Sequence, residues 1–205
     1  MADYKKPDYW QQKARKEGYP ARSVYKLKEI EEKFRLFKVS GSGVIRVLDI
    51  GAAPGSWSLY VLRKFAGKGF LAAADLLPLS REFDKGLFDG DNFFFVQGDV
   101  TTVEARATLL SKGPYSFIIS DAAPNTTGNH TTDSARSIDL AETVLSYAEN
   151  VLLSGGNLAL KVFQGSGVDT LLKRMRTLFI TAKSFKPQAC RGESVETYFV
   201  GLGKK

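Results

Sequence analysis

One cysteine, Cys190, and one histidine, His130, stand in a chain of 205 residues. A single thiol excludes an internal disulfide, and no Cys and His fall at metal-ligand spacing, so neither a structural zinc site nor any other metal is expected. The N-terminus is polar and charged with no apolar signal-like stretch, and no later apolar run approaches membrane-spanning length. These absences predict a soluble, cytoplasmic protein with no membrane partner. Repeats and low-complexity tracts are missing too. The length and ordinary apolar content predict one domain over 1–205 with a basic N-terminal helical extension at about 1–40, and a monomer is expected.

What is present is lopsided. Of the net charge of +7, residues 1–46 carry +6, from 12 Lys or Arg against 6 Asp or Glu. A basic excess at one end attracts polyanions, and nucleic acid is the commonest such partner of a soluble protein. The plainer reading is a solvated helix face, because Glu29 with Lys33 and Glu31 with Arg35 stand at i,i+4 spacing.

Periodicity supplies the architecture. Pro20 is placed to open a helix, and Val24, Leu27, Ile30, Phe34 and Phe37 recur at helical spacing until Gly41, Ser42 and Gly43 break it. Short apolar strands are predicted over 44–50, 70–74, 93–97, 117–120 and 158–162, with helices over 56–65, 104–111, 135–153 and 168–179 between and after them. Strands over 184–186 and 197–202 follow without a helix between them and must pair antiparallel or sit apart. The pattern predicts an α/β, Rossmann-like, doubly wound sheet of seven mostly parallel strands with an antiparallel C-terminal strand. Residues 125–133, rich in Thr, Asn and Gly, read as a loop placed to cover a ligand, with His130 a surface bystander within it.

Five strands end in a lone charged residue: Asp49, Asp75, Asp99, Asp121 and Lys161. Any one aspartate could be a turn residue or helix N-cap. Together they converge, because parallel strands bring their carboxyl ends to one crevice where ligands bind. Lys161 interrupts the apolar run Leu158, Ala159, Leu160, Val162 and Phe163, a place where lysine needs a partner. Lys26 alone would pass for a solvated helix charge. The turn from Asp49 through Gly51, Ala53, Pro54 and Gly55 to Trp57 lies where nucleotide-like cofactors bind, yet lacks the third glycine of a dinucleotide fingerprint. An adenosine cofactor without a pyrophosphate fits better, S-adenosyl-L-methionine above all, with Asp75 placed for ribose hydroxyls and Asp99 for the adenine amino group. Trp57 reads either as helix core or as a cofactor-lining ring.

The stretches Gly18-Tyr-Pro-Ala-Arg-Ser-Val-Tyr-Lys-Leu, Asp49-Ile-Gly-Ala-Ala-Pro-Gly-Ser-Trp-Ser, Asp75-Leu-Leu-Pro, Gln97-Gly-Asp, Ser120-Asp-Ala-Ala-Pro-Asn, Leu160-Lys-Val-Phe-Gln-Gly and Ser194-Val-Glu-Thr-Tyr, in this order, resemble the FtsJ family, also called RrmJ. Its members are 2′-O-ribose methyltransferases of large-subunit ribosomal RNA. The resemblance runs nearly end to end. It implies a catalytic set on Lys26, Asp121, Lys161 and Glu196, and a cofactor site of Gly51, Ala53, Pro54, Gly55, Trp57, Asp75, Leu76, Asp99, Val100 and Asp121. Glu196, not Glu193, matches the family's Ser-x-Glu-x-Tyr pattern. Methyl transfer from a sulfonium needs in-line placement of the ribose oxygen and help in losing its proton, and Lys161 is the group expected to act on the hydroxyl. It could do so as an amine, its pKa lowered by burial beside Lys26, or as a charged group that orients the oxygen.

The implied substrate is a uridine of ribosomal RNA within the large ribosomal subunit. Arg15, Lys16, Arg22 and Lys28 are the expected phosphate contacts, with Lys173, Arg174 and Arg176 as weaker candidates. The alternatives are the same chemistry on transfer RNA, or an RNA-binding assembly factor without turnover; a nicotinamide oxidoreductase is disfavoured by the missing glycine. Residues 79–92 depart from the family by being longer than its compact bacterial form.

Overall fold

The computed structural model describes residues 8–38, 44–192 and 194–205. The predicted helix break at Gly41, Ser42 and Gly43, and Glu193, lie outside the described residues. Two helices, α1 (Tyr9–Lys16) and α2 (Val24–Phe34), precede the alternation β1 (Ile45–Ile50), α3 (Ser56–Phe65), β2 (Gly69–Asp75), β3 (Phe93–Gln97), α4 (Val103–Ser111), β4 (Tyr115–Ser120), α5 (His130–Val151), β5 (Leu152–Phe163) and α6 (Val168–Leu178). The strands β6 (Phe179–Phe185) and β7 (Glu196–Lys204) complete a seven-stranded sheet of order β3-β2-β1-β4-β5-β7-β6. β1 to β5 run parallel to one another in this sheet, and β7 lies antiparallel between β5 and β6. Among the described residues no helix is long and apolar enough to cross a membrane.

Alternation along each strand feeds two cores. Val47, Phe117, Ile119, Ala159, Tyr198 and Val200 face α1, α2 and α3, while Leu48, Ile118, Leu158, Leu160, Val162 and Phe199 face α4, α5 and α6. The chain leaves β1 toward β2 and β3, then returns to place β4 on the other side of β1. That reversal opens a crevice at the carboxyl ends of β1 and β4, the place where such sheets bind ligands.

Several boundaries differ from the sequence reading. The second helix stops at Phe34 because Arg35 turns left-handed, with φ 52 and ψ 48, so Phe37 reaches the core from a turn whose amide is held by Glu31 at 2.9 Å. The expected i,i+4 pairs give way to tertiary ones. Glu29 accepts the amides of Gln188 and Ala189 at 2.6 and 2.8 Å, and Glu31 pairs with Lys64 at 2.9 Å. The fifth helix begins at His130 rather than 135, since Asn129 caps it by accepting from the Thr132 amide at 3.1 Å; the loop is shorter than its composition suggests. At its far end the helix stops at Val151, and β5 starts at once, pairing Leu152 with Tyr115 before a register shift resumes the ladder at Asn157. β6 likewise begins earlier than expected, directly after α6.

At Gly201 of β7 an added Cβ would lie 2.7 Å from the ring of Phe179, itself fully buried. Gly201→Ala is expected to cost about 1–3 kcal/mol through overpacking. The measurement is urea denaturation, where the midpoint should fall with the slope unchanged.

Candidate active site

Asp121, the first residue beyond β4, and Lys161 of β5 lie side by side. Lys161 Nζ sits 3.1 Å from Asp121 Oδ1 and donates to the Asp121 carbonyl at 2.6 Å. Tyr198 of β7 stands opposite Lys161 in the ladder, and its hydroxyl donates to the same Oδ1 at 2.5 Å. Lys26, on the buried face of α2, donates to Glu196 Oε2 at 2.7 Å, and Glu196 opens β7 opposite Phe163. The four residues implied as catalytic therefore form two ion pairs, Lys26 with Glu196 buried and Lys161 with Asp121 half-buried, where α2 meets the ends of β4, β5 and β7. Tyr198 had no role in the sequence reading; its place two residues after Glu196 in an apolar strand was the available signal.

The electrostatics follow from mutual burial. Desolvation opposes charge on Lys26, but the Asp121 and Glu196 carboxylates outweigh it and hold the ammonium above its ordinary value. Burial likewise opposes charge on Asp121, and Lys161 and Lys26, helped by the Tyr198 hydroxyl, bring its carboxyl below the usual range. The Tyr198 phenol is pushed well up by burial and then by the Asp121 charge, so it remains a hydrogen-bond donor. Cys190 is buried beside Glu196, and burial first of all pushes its thiol up to about 12, so it stays neutral.

The turn after β1 is held by protein, not only shaped for a ligand. Gly51 has φ +79, and a Cβ there would lie 2.4 Å from Ala122 Cα, so the β1 turn presses against the chain leaving β4. Gly55, at φ +107, faces the Phe88 ring in the same way, 2.9 Å from a built Cβ. Phe88 belongs to residues 79–92, which also bind the turn through Ser80 N to Pro54 O at 3.0 Å. Trp57 is buried, donates its indole N–H to Ser23 O at 2.8 Å and lies 5.9 Å from the Tyr198 ring. It ties α3 to the start of α2.

Asp75 accepts from the amides of Ala53 and Leu77, one on each oxygen, both at 2.9 Å. Each oxygen keeps a further lone pair, enough for ribose hydroxyls. Beside it Leu76 and Leu77 are 63% and 65% exposed, an apolar edge next to a carboxylate, which suits a nucleoside. Asp99 accepts from Thr101 N and Oγ1 through Oδ1, and these bonds, the backbone one foremost, lower its pKa; Oδ2 takes no part in either. Val100 is buried beneath it. The residues present thus fit S-adenosylmethionine.

The chain matches the model of the FtsJ-like methyltransferases over residues 19–204. It belongs to that family. A ribosomal RNA large subunit methyltransferase E of Treponema denticola is 47% identical over 202 residues, 98% of this chain and 97% of that one. The protein of the same name from Oleidesulfovibrio alaskensis is 44% identical over 97% of this chain and 92% of its own. Among solved structures, a Plasmodium falciparum protein assigned as a ribosomal RNA methyltransferase shares the fold with TM-score 0.73 at 24% identity, over 91% of this chain and 98% of that one. Aeropyrum pernix fibrillarin, solved with natively bound S-adenosyl-L-methionine, gives TM-score 0.62 at 14% identity, over 88% and 76%. The enzyme is a methyltransferase using S-adenosyl-L-methionine on a Rossmann-like sheet.

The basic residues expected at the RNA are not equivalent. Arg22 is ion-paired with Asp8 and donates to the Ala189 carbonyl, joining the N-terminal helices to the segment before β7. Arg15 is exposed and pairs with Glu82 at 2.6 Å, Lys16 is exposed, and Lys28 pairs with Glu17 at 2.7 Å over the Tyr19 and Tyr25 rings. Arg174 bridges Glu142 and Glu149 on the opposite face of the sheet from α2; Lys173 and Arg176 are exposed on the same helix.

Asp49 is fully buried, takes the Ser58 hydroxyl on Oδ2 at 2.7 Å, and has no partner on Oδ1. Burial raises its pKa to about 7, the Ser58 bond opposes this, and the Asp121 and Asp75 charges add to it. A raised acid pKa means the folded state keeps a proton that the unfolded chain has lost. Stability should therefore fall by a few kcal/mol as pH rises from about 4 to 7. Asp49→Asn should flatten that slope in denaturant titrations at pH 5 and pH 8, and an unaltered slope would refute the assignment.

Proposed function

We propose that the chain methylates a ribose 2′-hydroxyl of large-subunit ribosomal RNA, a uridine, and that Lys26, Asp121, Lys161 and Glu196 carry the reaction. The observation that supports this best is the pairing of Lys161 with Asp121 beside the Lys26 and Glu196 pair, at the mouth of the crevice that also holds Asp75. S-adenosylmethionine, when bound, supplies a methyl group already activated on a sulfonium. Gly51, Ala53, Pro54, Gly55, Trp57, Asp75, Leu76, Asp99, Val100 and Asp121 form its binding surface. Asp75 would accept the ribose hydroxyls and Leu76 would cover the apolar face of the base.

Lys161 commits two of its donor directions to Asp121, one to the carbonyl and one to the carboxylate. The remaining position on Nζ meets the substrate hydroxyl, as a lone pair in the amine or as a third N–H in the ammonium. Lys26 stays charged and anchors Glu196, and Tyr198 fixes the Asp121 carboxylate, so the groups around the hydroxyl are placed before substrate arrives. Arg15, Lys16 and Lys28 grip phosphate on the basic N-terminal face, and Arg22 holds that face in place. The chain acts as a soluble single-domain monomer in the cytoplasm, on RNA within the large subunit.

Lys161→Ala should retain cofactor affinity by calorimetry and lose transfer by roughly a hundred-fold or more. Undiminished methylation by that variant would sink the catalytic assignment. Label from the cofactor should enter large ribosomal subunits in preference to transfer RNA; the reverse would favour the tRNA reading. Arg15→Glu with Lys16→Glu should weaken RNA binding and reduce the slope of log affinity against log salt by about 1–2, since each lost phosphate contact removes close to one counterion. A slope equal to that of the wild type would place the RNA elsewhere.

A further inference from the structure

A second cavity, of about 330 Å³, opens beside the catalytic residues and takes no part in the chemistry described so far. It is lined chiefly by Thr126 and Gly128 of the loop after β4, His130 and Ser134 at the start of α5, Phe163 at the end of β5, and Val195 before β7. We propose that it receives an unstacked nucleobase of the substrate RNA, at or next to the reacting ribose. The inference rests on the RNA methyltransferase reading and deepens it.

Its position is the first argument. Phe163 follows Lys161 by two residues on the same strand and pairs with Glu196 across the ladder, where Lys161 pairs with Tyr198. Two residues of strand span about 7 Å, comparable to one nucleotide of extended chain. Chemistry is the second. Among the described residues no lysine or arginine lines the cavity, and the carboxylate that does, Asp133, is engaged by Thr127 N at 2.7 Å, Thr127 Oγ1 at 2.9 Å and Gly128 N at 3.1 Å. A phosphate would meet that negative charge directly. An aromatic ring with neutral donors and acceptors around it suits an uncharged heterocycle, and single-stranded bases are held in this manner by stacking and edge hydrogen bonds.

The third argument is an unpaired group. Ser134 is 2% exposed and its hydroxyl has no hydrogen-bond partner. A buried hydroxyl without a partner is destabilising, and a native structure that keeps one calls for an explanation. Gly165 leaves the space it occupies, since a Cβ there would lie 1.9 Å from Ser134 Oγ. A base entering the cavity would supply the partner that the folded chain lacks.

The test uses the full-length enzyme, cofactor, and a set of RNA substrates each carrying an abasic site at the methylated nucleotide or at one of its neighbours. Phe163→Ala should raise KM roughly ten-fold or more on intact RNA, the scale of a lost base stack. On the one abasic RNA that empties the cavity, wild type and variant should perform alike. Ser134→Ala should keep or raise the melting temperature, yet raise KM roughly three- to ten-fold, the scale of one hydrogen bond, with the same loss of effect on that abasic RNA. Equal losses for wild type and both variants on every abasic RNA would overturn the cavity's role. Failure of the wild type to methylate any RNA would instead overturn the underlying reading, and this inference with it.

Discussion

The structure turns on a half-buried Asp121 held between the charges of two lysines. A buried carboxylate alone costs several kcal/mol, and a buried ammonium costs as much, so neither Asp121, Lys161 nor Lys26 is tolerable without the others. Glu196 and the Tyr198 hydroxyl complete the balance. These groups come from α2, the end of β4, β5 and β7, and Lys26 and Glu196 are 170 residues apart in the chain. Docking of the N-terminal helices and antiparallel insertion of the last strand are therefore conditions for the site to exist at all.

The crevice next to this cluster is shaped by the order of strands. Because β4 returns beside β1, the turns that follow them touch, and Gly51 is required by Ala122 before any ligand is considered. Asp49 lies directly beneath, buried and only half satisfied, with Asp75 and Asp121 close enough to raise its pKa further. A concentration of carboxylates around a glycine turn is expensive for the fold and useful for a cationic sulfonium ligand. The same residues serve stability poorly, and in the proposed reading they favour the cofactor's positive charge.

Charge at the N-terminus divides between structure and recognition. Arg22 is occupied in joining the first helices to the segment before β7, and Arg63 of α3 donates to the carbonyls of Gly18 and Phe83, tying the extension to residues 79–92. Those residues also carry Glu82, the partner of Arg15, and Phe88, the wall of the glycine turn. An insertion that looked like a departure near the cofactor is thus a brace between the basic helix and the cofactor loop.

The alternation of strands and helices was legible because period-2 and period-3.6 patterns are local properties of the chain, and the carboxyl-end residues Asp75, Asp121 and Lys161 followed from it. Boundaries at Phe34, His130 and Leu152 were not, because a left-handed Arg35, an Asn129 cap and the pairing of Leu152 with Tyr115 depend on neighbours or on one backbone conformation. The partners of Glu29 and Glu31 went to other elements for the same reason. Lys26 was placed by motif resemblance alone, and Glu196 by that resemblance and its place before the apolar strand beginning at Thr197; only the folded chain showed that they pair with each other. The sequence by itself determined the sheet, its crevice and the residue types gathered there. The tertiary structure decided which charges neutralise which, which arginine is structural, and that Tyr198 and a second cavity adjoin the site, since these depend on contacts between segments far apart in the chain.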